Sequence, residues 1–173
     1  MVAWRNLLAK DIEGLIRLAD AVHPGLPESS LVFAERVKLY PEGCLALEDT
    51  DGQICGYAIS HPIRHHQPPA LDTLLGEIAS DANTYYIHDI AILPEFRGGG
   101  LAAECVNKLL EVASHSGFRV CGLVSVYGTE AFWARFGFVK EPVGDLLQDK
   151  LRGYGEEAVY LSRLNGKQHI VTI

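Results

Sequence analysis

Residues 88–102 read His-Asp-Ile-Ala-Ile-Leu-Pro-Glu-Phe-Arg-Gly-Gly-Gly-Leu-Ala. An apolar strand there turns through three glycines into a helix, which calls for an α/β architecture. A helix N-terminus leaves several backbone N–H groups without acceptors and carries the positive end of the helix dipole. Glycines ahead of it let the main chain approach a ligand closely and take positive φ. One glycine suffices for a tight turn. Three at a strand–helix junction predict an anion cradle suited to phosphate.

Punctuation and periodicity supply the rest of the order. Val2–Leu8 reads as a first strand, and Asp11 is placed to cap a helix with Ile12, Leu15, Ile16 and Ala19 on one face. Pro27 suits the first turn of a second helix, which Pro41 terminates. Cys44–Leu47 and Ile54–Ser60 read as strands joined by the turn Asp49-Thr50-Asp51-Gly52. The irregular stretch 61–76, with Pro62, Pro68 and Pro69, is the longest loop. Tyr85–Leu93 is the strand before the glycines, and Leu101–Ala113 the helix after them, with Gly117 as its stop. Phe118–Val126, a short helix Glu130–Phe136 capped by Thr129, a loop from Val139, and a last strand Glu157–Leu164 complete the chain. The expected fold is a single mixed-sheet α/β domain over 1–173, in the order β-α-α-β-β-β-α-β-α-β-β.

Three phosphate-cradling patterns compete for the glycine turn. A P-loop needs Lys-Ser/Thr after its last glycine, and Leu101-Ala102 stands there instead. Gly98-x-Gly100-x-x-Ala103 fits a dinucleotide fingerprint by letter. However, Pro94-Glu95-Phe96-Arg97 separate it from the strand, and Val124-Ser125-Val126-Tyr127 offers no acid for a ribose. The third pattern is Arg-x-x-Gly-x-Ala, met by Arg97, Gly100 and Ala102.

With these residues the chain resembles the GNAT superfamily of N-acetyltransferases. Pro94, Phe96, Arg97, Gly98, Gly100, Leu101 and Ala102 match each element of its turn signature. The segment from Phe132 to Phe138, closing in Gly137-Phe138, matches a second. The resemblance implies a GNAT-type domain and acetyl-CoA as cofactor. It implies that the amides of Gly98, Gly99, Gly100, Leu101, Ala102 and Ala103 hold the pyrophosphate, with Arg97 beside them. The main chain of Ile90, Ala91 and Ile92 would pair with the pantetheine, and Phe132 and Trp133 would wall the cofactor.

Amine acetylation needs a neutral amine, a polarised thioester carbonyl and a proton for the departing thiolate. His88 is the candidate base: alternation puts it on the face of Ile90, and an ordinary imidazole titrates near 6.5. Its position also resembles the base histidine of arylalkylamine N-acetyltransferases. Asp89 is expected on the opposite face as a structural residue. Most family members carry a tyrosine acid where this chain has Trp133, and indole offers only an N–H donor. Tyr127, at a strand tip, is the nearest substitute acid. Tyr86, expected on the face of His88, is the candidate substrate contact, chosen over Tyr85 and Tyr154.

The expected activity is direct acetyl transfer from acetyl-CoA to a primary amine of a small molecule. A peptide or protein N-acetyltransferase and a non-catalytic acyl-CoA sensor are the alternatives. A net charge of −7 argues against a broad basic surface for nucleic acid or anionic membrane and would favour a cationic substrate. Cys44, Cys55, Cys105 and Cys121 sit in apolar stretches without Cys-x-x-Cys spacing, so buried thiols are expected. His65-His66 has no carboxylate at ligand spacing, and no metal is expected. The absence of an apolar run of spanning length points to a cytoplasmic protein. A homodimer stays open.

Overall fold

The computed structural model describes residues 1–166. Its elements run β1 (Ala3–Asn6), α1 (Ile12–Val22), α2 (Ser30–Leu39), β2 (Cys44–Glu48), β3 (Ile54–Ile63) and β4 (Thr84–Ile92). Then follow α3 (Leu101–His115), β5 (Val120–Ser125), α4 (Glu130–Ala134), β6 (Val139–Lys140), α5 (Asp145–Arg152) and β7 (Val159–Leu164). The strands form one seven-stranded mixed sheet in the order β1-β2-β3-β4-β5-β7-β6. All neighbours pair antiparallel except β4 and β5, which run parallel because the α3 crossover joins them.

The sheet separates two cores. On one side Cys105, Val106, Leu109 and Ala113 of α3 pack on Leu45, Leu47, Tyr85, Ile87 and Ile92. On the other, Leu15, Leu18 and Ala19 of α1 and Phe33 of α2 pack on Ala46, Tyr57, Ile59 and Ala91. The four cysteines are free and buried among these apolar side chains.

The order matches the expected α/β domain with one element added. The stretch read as a loop after Val139 contains α5, which buries Leu147 and Leu151 against Tyr160. Several boundaries also differ, each because a polar group finds a better partner. Asp11 caps nothing ahead of it; its carboxylate accepts from the Leu8 amide at 2.8 Å and from Arg5 at 2.7 Å. Helix α2 begins at Ser30 rather than near Pro27, because the segment before it stays extended to reach Asp72. The Ser29 amide donates to Asp72 Oδ1 at 2.7 Å, while Glu28 Oε2 accepts from the Asp72 amide at 3.0 Å. Thr129 does not cap α4; its hydroxyl donates back to the Val126 carbonyl. His61 leaves the predicted loop altogether. Strand β3 runs on to Ile63 and buries His61 completely.

Candidate active site

Two irregularities in β4 create the site. The first is a split: β4 pairs with β5 only at Tyr85↔Cys121, Tyr86↔Gly122 and Ile87↔Leu123. Beyond Ile87 the two strands diverge. Residues 89–92 keep their partners on β3 but present an unpaired edge toward β5. A cleft of about 380 Å³ opens there, lined by His23, His88, Asp89, Arg97, Tyr127 and Trp133 among others.

The second is a β-bulge. Ile59 pairs with Asp89 and Ser60 with Ile87, so His88 is the extra residue. A bulge resets the two-residue alternation. His88 and Asp89 therefore both project toward the α1–α2 side, while Ile90 packs on the α3 core. This corrects two sequence expectations, that His88 shares a face with Ile90 and that Asp89 opposes it.

Each bulge residue pairs with a group from the α1–α2 connection. His88 Nε2 donates to Glu28 Oε1 at 2.6 Å, with side chains only 2% and 4% exposed. His23, just past α1, donates from Nε2 to Asp89 Oδ1 at 2.9 Å, and Asp89 also accepts from the Tyr57 hydroxyl. In both histidines Nδ1 is buried without a hydrogen-bond partner among the described residues. Burial alone would lower the His23 pKa, but the hydrogen bond and charge of Asp89 outweigh it and hold the imidazole above its ordinary value. Asp89 is held below the usual carboxylate range: burial opposes this, and bonds from His23 and Tyr57 prevail.

The glycine turn stands at the mouth of the cleft. Gly98 and Gly100 have φ of +88° and +82°, which only glycine adopts without strain. A Cβ built at any of Gly98, Gly99 or Gly100 meets nothing within 4 Å, so this face of the turn is open. The first helical bond of α3 comes from the Glu104 amide to the Gly100 carbonyl, leaving the amides of Leu101, Ala102 and Ala103 without helical acceptors. Arg97 lines the cleft and donates from Nε to the Ile92 carbonyl at 2.8 Å, and its terminal nitrogens are without a partner among the described residues. Open turn, unspent amides and unpaired strand edge together fit an extended ligand with a phosphate at one end.

The aromatic candidates separate. Trp133 is 8% exposed and edge-on to Phe132 and Phe138, so it forms a cleft wall, with the half-buried Phe132 beside it. Tyr127 is 54% exposed and stacks on His23 with ring centroids 5.7 Å apart. Tyr86 shares the side of His88, with ring centroids 5.8 Å apart, but is fully buried behind it and lines no part of the cleft. The structure thus places Tyr86 against His88 behind the cleft rather than at the expected substrate contact. Tyr154 instead lines a narrow recess of about 30 Å³, with Glu28, Leu71 and His88.

The long loop closes that end. Lys150 Nζ and the Tyr154 hydroxyl donate to the Pro68 and Pro69 carbonyls at 2.8 Å each. Glu35 accepts from the amides of Leu75 and Gly76. His66 Nε2 donates to Glu141 Oε1 at 2.7 Å, with His65 stacked beside it. The carboxylate missing beside His65-His66 in sequence thus comes from 75 residues away. It serves there as a hydrogen-bonded anchor for the loop.

Sequence reasoning did not find Glu28 or His23. Neither sits in a motif; the fold alone brings them to β4.

The profile described as the acetyltransferase (GNAT) family matches residues 8–138. Among curated proteins, none matches the sequence. Solved structures match in fold at low identity. The loading GNATL domain of CurA from Lyngbya majuscula is 17% identical with a TM-score of 0.78, over 95% of this chain and 98% of that one. Arabidopsis thaliana Naa50, in complex with the bisubstrate analogue CoA-Ac-MVNAL, is 17% identical with a TM-score of 0.70, over 94% and 97%. The ribosomal-protein-S18-alanine N-acetyltransferase from Escherichia coli is 16% identical with a TM-score of 0.66, over 100% and 99%. No helix among the described residues is long and apolar enough to cross a membrane.

Proposed function

Because the chain belongs to the GNAT acetyltransferase family, acyltransferases that use acetyl-CoA as cosubstrate and an amine as acceptor, we propose that it acetylates a primary amine of a small molecule by direct transfer in the β4–β5 cleft. The observation that carries this reading is the parting of β4 from β5 beyond Ile87, directly above the glycine turn. Gly98–Ala103 hold the pyrophosphate with their amides, Arg97 adds charge, and the main chain of Ile90–Ile92 pairs with the pantetheine. Phe132 and Trp133 wall the thioester end. Bound acetyl-CoA supplies the activated acetyl group.

His88 then serves as the base. Its Nε2–H is committed to Glu28, so the neutral ring carries its lone pair on the buried Nδ1, which takes the proton of the attacking amine through a bridging water. Glu28 fixes the ring and stabilises the imidazolium that forms. The loop tied to Lys150 and Tyr154 brings Leu71 beside Glu28 and His88, which supports a small acceptor over a peptide. The net charge of −7 favours a cationic amine, and the cytoplasm is the compartment we assign.

Titration with acetyl-CoA, followed by thiol release over a panel of amines and peptides, tests this. We expect saturable binding, weakened at least tenfold by Gly100→Glu, and turnover with small amines before peptides. A folded Gly100→Glu protein that binds acetyl-CoA like the parent would remove the cofactor assignment; turnover confined to peptides would remove the small-amine reading.

A further inference from the structure

A thiolate leaving the acetyl group needs a proton, and the usual tyrosine is absent: Trp133 stands in its place, part of the core wall. Given acetyl transfer in this cleft, we propose that His23, held by Asp89, is the general acid that protonates the departing sulfur.

The geometry is that of a donor rather than a packing residue. His23 lines the cleft together with the open edge of β4 and the tip of β5. Its Nε2 is fixed 2.9 Å from Asp89 Oδ1, and Asp89 is fixed in turn by the Tyr57 hydroxyl. Nδ1 is left buried without a partner among the described residues, which a folded protein seldom leaves uncompensated. The imidazole also sits at the C-terminal end of α1, its amide bonded to the Ala19 carbonyl, where the helix dipole favours a cation. Tyr127, held over the ring by a φ of +55°, covers it on the solvent side.

The charged groups around the ring agree. Asp89 from β4 and Glu28 from the α1–α2 connection favour the imidazolium. Arg97, beyond the glycine turn, opposes it; Asp89 dominates. Tyr57 and Tyr127, the tyrosines beside it, both have pKa values raised by burial and by the charge of Asp89 and stay neutral. His23 is therefore the better acid, and Tyr127 its cover.

The proton balance closes. The carbon–sulfur bond breaks with its electron pair on sulfur. The His23 Nδ1–H bond breaks and an S–H bond forms, leaving neutral imidazole with Nε2–H still on Asp89. His88 holds the proton taken from the amine, and exchange with water returns both rings to their starting states.

Nuclear magnetic resonance of the ring nitrogens in the ligand-free protein tests this without turnover. We expect His23 to stay an imidazolium to higher pH than a free histidine, and Asp89→Asn to move its titration down by at least about one pH unit. CoA should bind more tightly than desulfo-CoA, and His23→Gln should close that gap. With an amine from the panel, His23→Gln should lower kcat about tenfold or more and change the alkaline limb of the rate profile, with acetyl-CoA affinity kept. Ordinary titration of His23 in the parent, or unchanged kcat and pH profile in His23→Gln, overturns the assignment. Titration of the parent decides even if the variants fail to fold. Loss of acetyl-CoA binding by the parent would instead strike the acetyl-transfer reading itself.

Discussion

Two histidine–carboxylate pairs meet at the bulge of β4, built in opposite senses. In one the strand gives the histidine, His88, and the α1–α2 connection gives the acid, Glu28. In the other the strand gives the acid, Asp89, and the end of α1 gives His23. The first pair is the more deeply buried, at 2% and 4% side-chain exposure; the second is more open, at 14% and 18%. Similar chemistry in different surroundings can supply an acid and a base side by side, as acyl transfer to an amine requires. The bulge makes this possible, because in a regular strand adjacent residues point to opposite faces.

The sharpest way to break the comparison is to remove the residue proposed as base. His88→Ala should lower kcat/KM by about 10²-fold, with acetyl-CoA affinity kept in a direct titration. A rate near that of the parent would return His88 to a structural role. Next comes coupling between the pairs. Glu28→Gln combined with His88→Ala should cost little more than His88→Ala alone, since the acid acts through the ring. If Glu28→Gln adds its full cost on top, Glu28 has a task independent of His88.

Acid sensitivity separates the pairs from their neighbour His61. Asp89, with its folded pKa lowered, adds stability that is present above the ordinary carboxylate value and lost as pH falls through the folded one. His61 is pushed down to about 3 by burial, so the unfolded chain binds more protons from about pH 6.5 downward and stability falls across that window. His61→Gln should flatten the decline between about pH 6.5 and 4, while Asp89→Asn should flatten the part below about pH 4 and steepen the part above it, because His23 then loses the partner that favours its charged form. Denaturant titrations across this range read both, and a decline unchanged in His61→Gln would mean that His61 is charged in the folded state.

The smallest effects belong to the aromatic residues. Trp133→Phe should keep most turnover, since an apolar wall remains, and Tyr127→Phe should lower kcat by less than about threefold. A loss of tenfold or more in Tyr127→Phe, with binding intact, would move the acid role from His23 to Tyr127.

The glycine turn was readable because its chemistry is local: backbone amides, φ angles and a helix start all lie within one short segment. Strand and helix order was readable for the same reason, since periodicity and turn residues act over a few positions. Helix α5 also carries a local signal. Leu147 and Leu151 stand four apart, with Asp145 in the first turn and Lys150 and Arg152 in the last.

The sequence by itself determined the α/β order, the glycine turn and the residue types available for proton transfer. Only the tertiary structure decided which of them face one another. An extra residue in β4, seen only when β3 is paired beside it, turned Asp89 from the far face to the near one. His23 and Glu28 lie 66 and 60 residues from their partners, a separation at which no local pattern specifies contact. Register and long-range pairing are set by the balance of the whole sheet and its two cores, and that balance exists only once the chain has folded.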